Sequence, residues 1–467
     1  MLTPLDELAE LAELIGSHRV GFHPADLDRH ATDRSPAALL ERRSVRPLRL
    51  PQCVVRPQST EQVSQILKWA DRNKTPVVPY GGGSGVCDGI QGADTVVMEL
   101  RALNAILDFD EKSRLVHVQA GVLGPDLAKA LHSWGHTLGH EPQSLSISTV
   151  GGWLATRATG QLSARYGGIE DMVAGLEAVL PGGRVVRSKP APRRSTGPDL
   201  ASLMIGSEGT LGVITEATLR VHPLPGERAE RCVRFQHMAD GVAACRKIAQ
   251  SGLEPTLVRL YDREDAAIFL RNHPHETPGT LLLLAFEGAS AVPRADLAVE
   301  LSSGERGDDS LVGVWWEHRN DAVDELMTLM AGEGILGPHA MVDTIEVAGT
   351  WTVLRDLYHS MKDALSPLAD IAACHLSHIY PDGACLYFTL ASACSDDEAA
   401  AEALERWWSA GMGACLTAGG SISHHHGIGR RKAGWLRDEL GGWWDVLAAV
   451  KKVVDPNRIM NPGALGL

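Results

Sequence analysis

Residues 77–85 read Val77-Val78-Pro79-Tyr80-Gly81-Gly82-Gly83-Ser84-Gly85, an apolar strand that runs directly into a glycine-rich turn. Consecutive glycines let backbone N–H groups converge on an anion, because no Cβ stands in the way. The stretch therefore predicts a phosphate cradle at the end of a strand, with an ordinary flexible turn as the alternative. It is neither the dinucleotide fingerprint nor a Walker loop, because Val86 and Asp88 stand where glycine would be needed and no G-x-x-x-x-G-K-S/T occurs.

Two further clusters of glycine and small hydroxyl residues follow in the same half of the chain. One extends over residues 141–160 and the other over residues 206–215. Segments of this composition can lie flat against a planar or phosphorylated ligand. Three such clusters are too many for unrelated turns.

Apolar strands alternate with amphipathic helices around these clusters, which is typical of an α+β or α/β fold. Strands are predicted at residues 54–55, 77–79, 96–100, 115–118, 175–180, 184–187 and 213–221, and further on at 256–261, 281–286 and 384–390. Helices are predicted at residues 60–73, 125–134 and 241–251, the first of them beginning at Ser59 or Thr60.

The stretch Pro223-Leu224-Pro225-Gly226 predicts a domain junction, since two prolines and a glycine favour an exposed connection. We expect an N-terminal helical segment (1–48), a first domain (49–224), a second domain (225–415) and a C-terminal segment (416–467) with three consecutive histidines. An amphipathic helix in the first part is indicated by leucines spaced three apart, at Leu2, Leu5, Leu8, Leu11 and Leu14.

The composition excludes several classes of protein. Of 467 residues, 44% are apolar and 22% charged, which is the balance of an ordinary globular protein. A net charge of −14 opposes attraction to nucleic acids, so no nucleic-acid partner is expected. No apolar run approaches the ~20 residues that span a bilayer and no signal peptide is recognised, so we expect no transmembrane segment and a cytoplasmic protein. The short basic clusters Arg193-Arg194 and Arg430-Arg431-Lys432 are interpreted as solvated surface.

The order of these segments resembles the vanillyl-alcohol-oxidase (PCMH-type) superfamily of flavoproteins, and within it the alkyldihydroxyacetonephosphate synthase (alkylglycerone-phosphate synthase) family. The resemblance rests on segments 148–153 and 207–215 and on Gly139-His140-Glu141-Pro142, Tyr166-Gly167-Gly168-Ile169-Glu170-Asp171, Ser195-Thr196-Gly197-Pro198-Asp199 and Ser421-Ile422-Ser423-His424-His425-His426-Gly427. It implies an α+β fold, in which a two-subdomain FAD-binding domain carries an α+β cap domain for the substrate. The C-terminal segment would return to the FAD domain.

The resemblance also implies FAD, bound non-covalently because the glycine loop presents no His or Cys for attachment. The pyrophosphate would lie at Pro79, Tyr80, Gly81, Gly82, Gly83, Ser84 and Gly85. The ring would contact Glu141, Pro142, Gln143, Ser144, Leu145, Ser146, Ile147, Gly151, Gly152, Trp153, Thr156, Glu208, Gly209, Thr210, Leu211, Gly212, Val213 and Ile214.

The three consecutive histidines have a chemical interpretation of their own. In an extended segment His424 and His426 would share one face and His425 would oppose them, so two imidazoles could address one ligand. A metal ion is the alternative, because neutral imidazoles often bind metals. In hydroxy-acid dehydrogenases of the superfamily the metal site resembles H-x-G-D-G-N-x-H followed by G-E-H-G. Here residues 378–387 lack the second histidine and His424 replaces the carboxylate, so we expect no metal.

Tyr387 lies in a segment that matches the synthase segment carrying the acid/base tyrosine; the alternative is a core tyrosine in a strand. A phenol with a pKa near ~10 is a poor base unless something stabilises the phenolate, and a nearby imidazolium could do so. Arg259 matches a family arginine important for activity, and an unpaired cation in a strand needs an anion. The phosphate-binding arginine of the family has no match, since residues 327–342 contain no arginine, although a gap would bring Arg319 into that role.

The resemblance implies an enzyme that exchanges the acyl group of an acyl-dihydroxyacetone phosphate for a fatty alcohol through a flavin N5 adduct, without net redox change. Tyr387, His424, His425 and His426 would move protons, and Arg259 would support the substrate or flavin. The alternative is an FAD-dependent oxidase or dehydrogenase of an alcohol or 2-hydroxy acid; a flavin-binding protein without catalysis is a third. The substrate is expected to be a small or lipid-like molecule, and both a homodimer and peripheral membrane contact are compatible with the sequence.

Overall fold

The structure, a computed structural model, describes residues 4–43, 49–273 and 279–467, with the side chains of 4–7 and 322–324 left out. Leu2 and the side chain of Leu5, part of the predicted leucine pattern, lie outside the described residues. The N-terminal elements are α1 (Pro4–Ile15), β1 (Val20–Gly21), α2 (Pro24–Arg29) and α3 (Pro36–Arg43). Leu11 and Ile15 of α1 are buried, which confirms an amphipathic helix here.

The first sheet has the order β1-β2-β4-β3 and is built from β2 (Cys53–Val55), β3 (Val77–Tyr80) and β4 (Val96–Glu99), with β1 antiparallel at its edge. Helix α4 (Thr60–Asn73) connects β2 to β3. It begins after Ser59, whose hydroxyl accepts the Gln62 N–H, and ends at Lys74 in the left-handed conformation (φ 55°). Its apolar face, with Ile66 and Leu67, packs in the core beneath the sheet.

The second sheet has the order β5-β6-β10-β8-β9. Its strands are β5 (Ile106–Asp110), β6 (Leu115–Gln119), β8 (Val173–Val179), β9 (Val185–Arg187) and β10 (Val213–Arg220), and β7 (His136–Thr137) pairs separately with β11 (His222–Pro223). The helices between them are α5 (Gly124–Ser133), α6 (Val150–Thr156), α7 (Ser163–Tyr166) and α8 (Ile169–Met172). Together the two sheets carry all three glycine-rich clusters.

The third sheet has the order β15-β12-β14-β13-β17-β18-β16. Its strands are β12 (Arg228–Phe235), β13 (Leu257–Tyr261), β14 (Thr280–Glu287), β15 (Glu305–Arg306), β16 (Met341–Thr350), β17 (Ile371–Ser377) and β18 (Gly383–Ser392). Its helices are α9 (Met238–Gln250), α10 (Arg263–Phe269), α11 (Ala291–Ser302), α12 (Ser310–His318), α13 (Asp321–Met330), α14 (Leu354–Leu365) and α15 (Asp397–Thr417). Residues of α9, α11, α14 and α15 share one large core with this sheet, whereas α10 and α12 cover part of the opposite face. The rest of that face carries polar residues.

The C-terminal elements are α16 (Ala433–Leu440) and α17 (Trp443–Val454), and short 3-10 helices lie at Ser17–Arg19, Pro181–Gly183, Ala201–Leu203, Leu270–Asn272, Ser366–Leu368 and Ala464–Gly466. Beyond α17 the chain returns to the first sheet. The Val77 N–H donates to the Ile459 carbonyl at 2.7 Å, and the Asn461 N–H donates to the Val77 carbonyl at 2.9 Å. The buried Lys451 ammonium also bonds to the Thr210 carbonyl at 2.7 Å. The last residues therefore complete the edge of the glycine-loop strand.

Every strand and helix predicted from the sequence is present, with ends displaced by at most three residues. Within the described ranges, none of the helices combines the length and apolar character needed to cross a bilayer.

Candidate active site

The glycine loop at residues 79–85 packs tightly on the second cluster. A Cβ at Gly82 would lie 1.9 Å from the Ile147 carbonyl oxygen, and one at Gly81 would lie 2.4 Å from the Thr149 hydroxyl. Gly83 has a φ of +65°, and a Cβ there would meet the Tyr80 hydroxyl at 2.0 Å. These three glycines are therefore required by close approach, and the loop is held rather than flexible.

The third glycine-rich cluster, residues 206–215, contacts the same glycine loop. A Cβ at Gly209 would lie 2.9 Å from Cγ of Pro79, so the 208–214 segment contacts the glycine loop. Trp153, in α6, is buried and donates its indole N–H to the Ser148 hydroxyl at 2.7 Å. The structure thus brings together the three segments predicted to bind FAD.

The loop also fits an anionic group. The backbone N–H groups of Gly82, Gly83 and Ser84 donate no hydrogen bond to any residue in the described part of the chain. Free N–H groups in a glycine-walled turn are the donors that a pyrophosphate needs.

On the third sheet, which we call the cap sheet, strand register places four polar residues on one face. Tyr387 in β18 lies directly opposite Glu346 in β16 and opposite His375 in β17, and Ser377 lies opposite Arg259 in β13. Directly paired residues share a face, and so do residues two apart on one strand. The four side chains that therefore project from the same face are His375, Tyr387, Glu346 and Arg259. His375 and Glu346 were not predicted from the sequence, because the sequence does not reveal the strand register.

Tyr387 lies between imidazoles. Its ring stacks on His375 with centroids 4.7 Å apart, approaches His425 at 6.0 Å, and meets His426 edge-on at 5.3 Å. His375 in turn bonds through Nδ1 to the Asp265 carboxylate at 2.8 Å. Burial raises the pKa of Tyr387 well above its ordinary value, so the phenol is protonated at neutral pH.

The three histidines at 424–426, which we call the His loop, do not form an extended segment. Their backbone N–H groups all donate to the Glu346 carboxylate, from His425 at 3.4 Å and from His426 at 3.2 Å. The prediction that His424 and His426 share one face with His425 opposing them is therefore wrong, because the backbone curls around a carboxylate. Gly427 ends the loop with a φ of +82°.

The other side of this turn is held by Glu208, in the third glycine-rich cluster. The Glu208 carboxylate accepts the Ile428 N–H at 2.6 Å and the Gly429 N–H at 2.8 Å. Glu208 itself has a φ of +49°, a strained position for a residue with a side chain. The Glu208 carboxylate is thus occupied by the backbone after the His loop, and the contact of Glu208 with the flavin ring stays a prediction.

Two further residues, His378 and Cys385, lie beside the His loop. The His378 ring lies 4.8 Å from that of His425 and bonds through Nδ1 to the Ser163 hydroxyl at 2.7 Å. Ligand atoms of Cys385, His424 and His425 lie within 4.8 Å of one another, an arrangement that could hold a metal ion. The thiol was not anticipated from the sequence; the expectation of no metal stays a prediction.

The imidazoles are neutral in this environment. Burial lowers the pKa of His375 and of His426 to about 4, and it lowers the pKa of His425 well below its ordinary value. The hypothesis that an imidazolium stabilises a Tyr387 phenolate is therefore corrected. Arg259 is the permanent cation nearby, and it bonds to His375 at 3.4 Å.

One basic cluster was misinterpreted from the sequence. Arg193 and Arg194 are exposed, as predicted. Lys432 is fully buried and pairs with Glu346 at 2.7 Å, while Arg431 pairs with Asp88 at 3.1 Å. Arg430–Lys432 is therefore an internal connection rather than a solvated surface.

Two arginines flank a pair of tryptophans beside the site. The Arg259 guanidinium lies 5.9 Å from the Trp315 ring and that of Arg319 lies 5.0 Å from the Trp316 ring. Nε of each arginine is buried and has no hydrogen-bond partner in the described part of the chain. Arg319 also pairs with Glu141, in a segment predicted to contact the flavin, at 3.2 Å.

Two family models match this chain. Residues 51–189 match an FAD binding domain, and residues 224–465 match the C-terminal domain of FAD linked oxidases. The chain belongs to the FAD-linked oxidases. The glycine loop lies in the first match, and Tyr387 and the His loop lie in the second.

Among relatives of this FAD-linked oxidase, the uncharacterized FAD-linked oxidoreductase YgcU of Escherichia coli K12 is 33% identical over 98% of this chain and 97% of its own. Alkyldihydroxyacetonephosphate synthase of Dictyostelium discoideum is 30% identical over 89% of this chain and 73% of its own. D-lactate dehydrogenase of Anaerostipes hadrus is 31% identical over 89% of each chain. The relatives therefore include both an alkyldihydroxyacetonephosphate synthase and oxidoreductases.

A solved structure of alkyldihydroxyacetonephosphate synthase superposes with a TM-score of 0.80 at 26% identity, covering 99% of this chain and 85% of that one. The expected α+β architecture, a PCMH-type FAD-binding fold with a cap domain, is confirmed. FAD is the cofactor of this FAD-linked oxidase, in agreement with the free donors of the glycine loop.

Proposed function

We propose that this FAD-linked oxidase exchanges the acyl group of an acyl-dihydroxyacetone phosphate for a fatty alcohol. The observation that carries the proposal is Tyr387, a protonated phenol stacked between neutral imidazoles of His375 and the His loop, with Arg259 beside them. The likeness to alkyldihydroxyacetonephosphate synthases in sequence and structure supports it.

Proton transfer falls to the His loop and Tyr387. Nδ1 of His426 is buried and has no hydrogen-bond partner among the described residues, so this neutral imidazole has a nitrogen to offer a substrate proton. Tyr387, still carrying its proton, would donate to a substrate oxygen. His425 stacks along the same phenol and completes the group, with His424 next to it at 3.1 Å between the Nδ1 atoms.

An anionic substrate group would lie at the arginines. Arg259 forms no ion pair with a carboxylate in the described part of the chain, and a guanidinium in this setting needs an anion. Arg319, on the far side of the tryptophan pair, is the second arginine proposed to bind the anionic group of the substrate. Together they would supply the fork of donors that suits a phosphate ester.

The exchange is balanced without an external oxidant. The ester C–O bond of the substrate breaks and the fatty acid leaves, an ether C–O bond to the alcohol forms, and the alcohol loses its proton. Bound FAD would supply the electron-deficient ring that this chemistry uses. The residues at 79–85, 141–147, 151–156 and 208–214 are proposed to hold it, and the boundaries at 48, 224 and 415 are proposed to divide the chain.

The test is product analysis with the FAD-loaded enzyme. Palmitoyl-dihydroxyacetone phosphate and labelled hexadecanol should give labelled alkyl-dihydroxyacetone phosphate and one equivalent of palmitate, with the flavin oxidised again at the end of turnover and no hydrogen peroxide formed. Absence of ether product, with hydrogen peroxide released instead, would refute the exchange reaction.

Oxidation of a 2-hydroxy acid is the second candidate. It is favoured by the D-lactate dehydrogenase relative and by the Cys385, His424 and His425 group, which resembles a metal site. Anaerobic mixing with D-lactate distinguishes the two, because oxidation of the 2-hydroxy acid leaves the flavin reduced, whereas an enzyme of the exchange reaction has no substrate in D-lactate and its flavin stays oxidised.

A further inference from the structure

The carboxylate of Glu346 is fully buried at the centre of the His loop. Its Oε1 accepts from the Ser423 hydroxyl at 2.8 Å, from the Lys432 ammonium at 2.7 Å and from the His426 N–H. Its Oε2 accepts the N–H groups of His424 and His425. Both oxygens are thus occupied, and three of the five donors are the backbone of the His loop.

We propose that Glu346 is the positioning residue of the His loop, fixing the backbone so that His425 and His426 stand against Tyr387. It acts through the backbone N–H groups of the loop. This inference rests on the proposed proton-transfer role of the His loop. Lys432 has a supporting part, because its charge keeps the carboxylate ionised in a buried place.

The geometry distinguishes this role from that of a simple buried ion pair. Lys432 engages only one oxygen of Glu346, and the other oxygen accepts two N–H groups of the loop backbone and lies 3.9 Å from Nδ1 of His425. A buried ion pair with no further task can be replaced by apolar residues with little loss. A carboxylate that organises three successive N–H groups cannot, because those donors would lose their acceptor.

The chemistry of the five donors also requires a carboxylate. A glutamine at position 346 would turn its NH₂ group toward N–H donors on one side, so donor would face donor. An aspartate would keep the charge and the pairing with Lys432 but would withdraw the oxygens from the loop. Glu346→Gln therefore tests the loss of the negative charge, and Glu346→Asp tests the shorter side chain.

Glu346 has a counterpart, Glu208, in the FAD-binding half of the protein. Glu208 holds the N–H groups of Ile428 and Gly429, directly after the loop. The turn is consequently fixed from the cap sheet by Glu346 and from the FAD-binding half by Glu208. Loss of the Glu346 carboxylate leaves the Glu208 contacts in place, so the His loop becomes more mobile but stays beside Tyr387.

The experiment compares Glu346→Gln, Glu346→Asp and the double variant Glu346→Gln/Lys432→Met in the FAD-loaded, full-length enzyme. Removal of the lysine should restore only part of the melting temperature lost in Glu346→Gln, since no unpaired buried cation remains but the three loop N–H groups still lack the carboxylate. We expect kcat to stay at least about tenfold below wild type in the double variant and in Glu346→Asp, with FAD affinity unchanged. Recovery of wild-type kcat in the double variant, or wild-type kcat in Glu346→Asp, would overturn the proposal.

A second readout does not depend on turnover. Diethyl pyrocarbonate modifies accessible neutral imidazoles, and mass spectrometry of the peptide containing residues 424–426 reports the rate. Modification should be faster in all three variants, whereas a rate equal to wild type in Glu346→Asp and the double variant would contradict positioning. If the wild-type enzyme makes no ether product, the proposed function fails, and this readout still decides the role of Glu346.

Glu177→Gln is the matched control. Glu177 is also a buried carboxylate, and it accepts from the Thr60 hydroxyl at 2.6 Å and from the Thr215 hydroxyl at 2.7 Å, but it lies in the second sheet of the FAD-binding half. This variant should lower the melting temperature and leave kcat and the modification rate of the His loop unchanged. A fall in kcat equal to that of the Glu346 variants would show that any lost buried carboxylate has this effect and would overturn the assignment.

Discussion

Replacing Tyr387 by phenylalanine removes one hydroxyl from the centre of the proposed active site. The ring keeps its contact with His375 at 4.7 Å and its neighbours in the His loop, so packing is preserved. Loss of one hydrogen bond costs about 1 kcal/mol of folding free energy or less, which this fold should tolerate. Loss of a general acid or base lowers turnover by roughly 10²-fold, equivalent to about 2.7 kcal/mol of activation free energy.

The assay measures kcat, KM and FAD affinity side by side. Because burial raises the pKa of Tyr387, its proton is present throughout the neutral range, and the deficit of Tyr387→Phe should be the same between about pH 6 and pH 9. Tyr358→Phe is the matched control, since its hydroxyl bonds to Asp262 at 3.2 Å and its ring stacks on Phe388, the neighbour of Tyr387 on the opposite face of β18. Equal kcat in Tyr387→Phe and wild type would refute the proton-transfer role.

Three further outcomes are expected. Acid precipitation should release the FAD into the supernatant, because the loop at 81–85 offers no attachment residue; flavin retained in the pellet contradicts this. Dialysis against EDTA should leave turnover unchanged, because burial keeps the Cys385 thiol protonated and, among the described residues, no carboxylate belongs to its group with His424 and His425; activity restored by zinc after dialysis argues for a metal. The melting temperature should fall as the pH is lowered from 6.5 toward about 4, since His375 and His426 have a pKa of about 4 when folded and the unfolded chain takes up protons first. His375→Gln/His426→Gln should show a shallower dependence in the same melting series, and an unchanged slope would contradict the assignment.

Local features of this fold could be predicted because their causes are local. Ser59 caps α4 three residues before its partner, and glycines mark the turns that close contact demands. The apolar runs that predict strands are buried by the helices that follow them. The segments proposed to bind FAD could be singled out for the same reason, since each is a continuous stretch of unusual composition.

The catalytic arrangement could not be predicted because its causes are distant in sequence. Glu346 stands in an apolar strand, and no basic partner lies near it in the sequence. Only the fold brings it to the His loop. Lys432 follows two arginines and has the pattern of a surface cluster, yet its carboxylate partner makes it a core residue. His375 acquires its place from strand register with Tyr387, which no periodicity within a single strand reveals.

The return of the C-terminal segment to β3 determines the order in which the protein can fold. Val77 is hydrogen-bonded to Ile459 and Asn461, so the glycine-loop strand has an incomplete edge until those residues have left the ribosome. During synthesis the cap sheet, which lies between them in the chain, can form first, while the N–H and C=O groups of Val77 stay unpaired. Long-range closure of this kind is slow and exposes an edge to other nascent chains. Heterologous expression should therefore benefit from slow translation and from chaperones that shield strand edges.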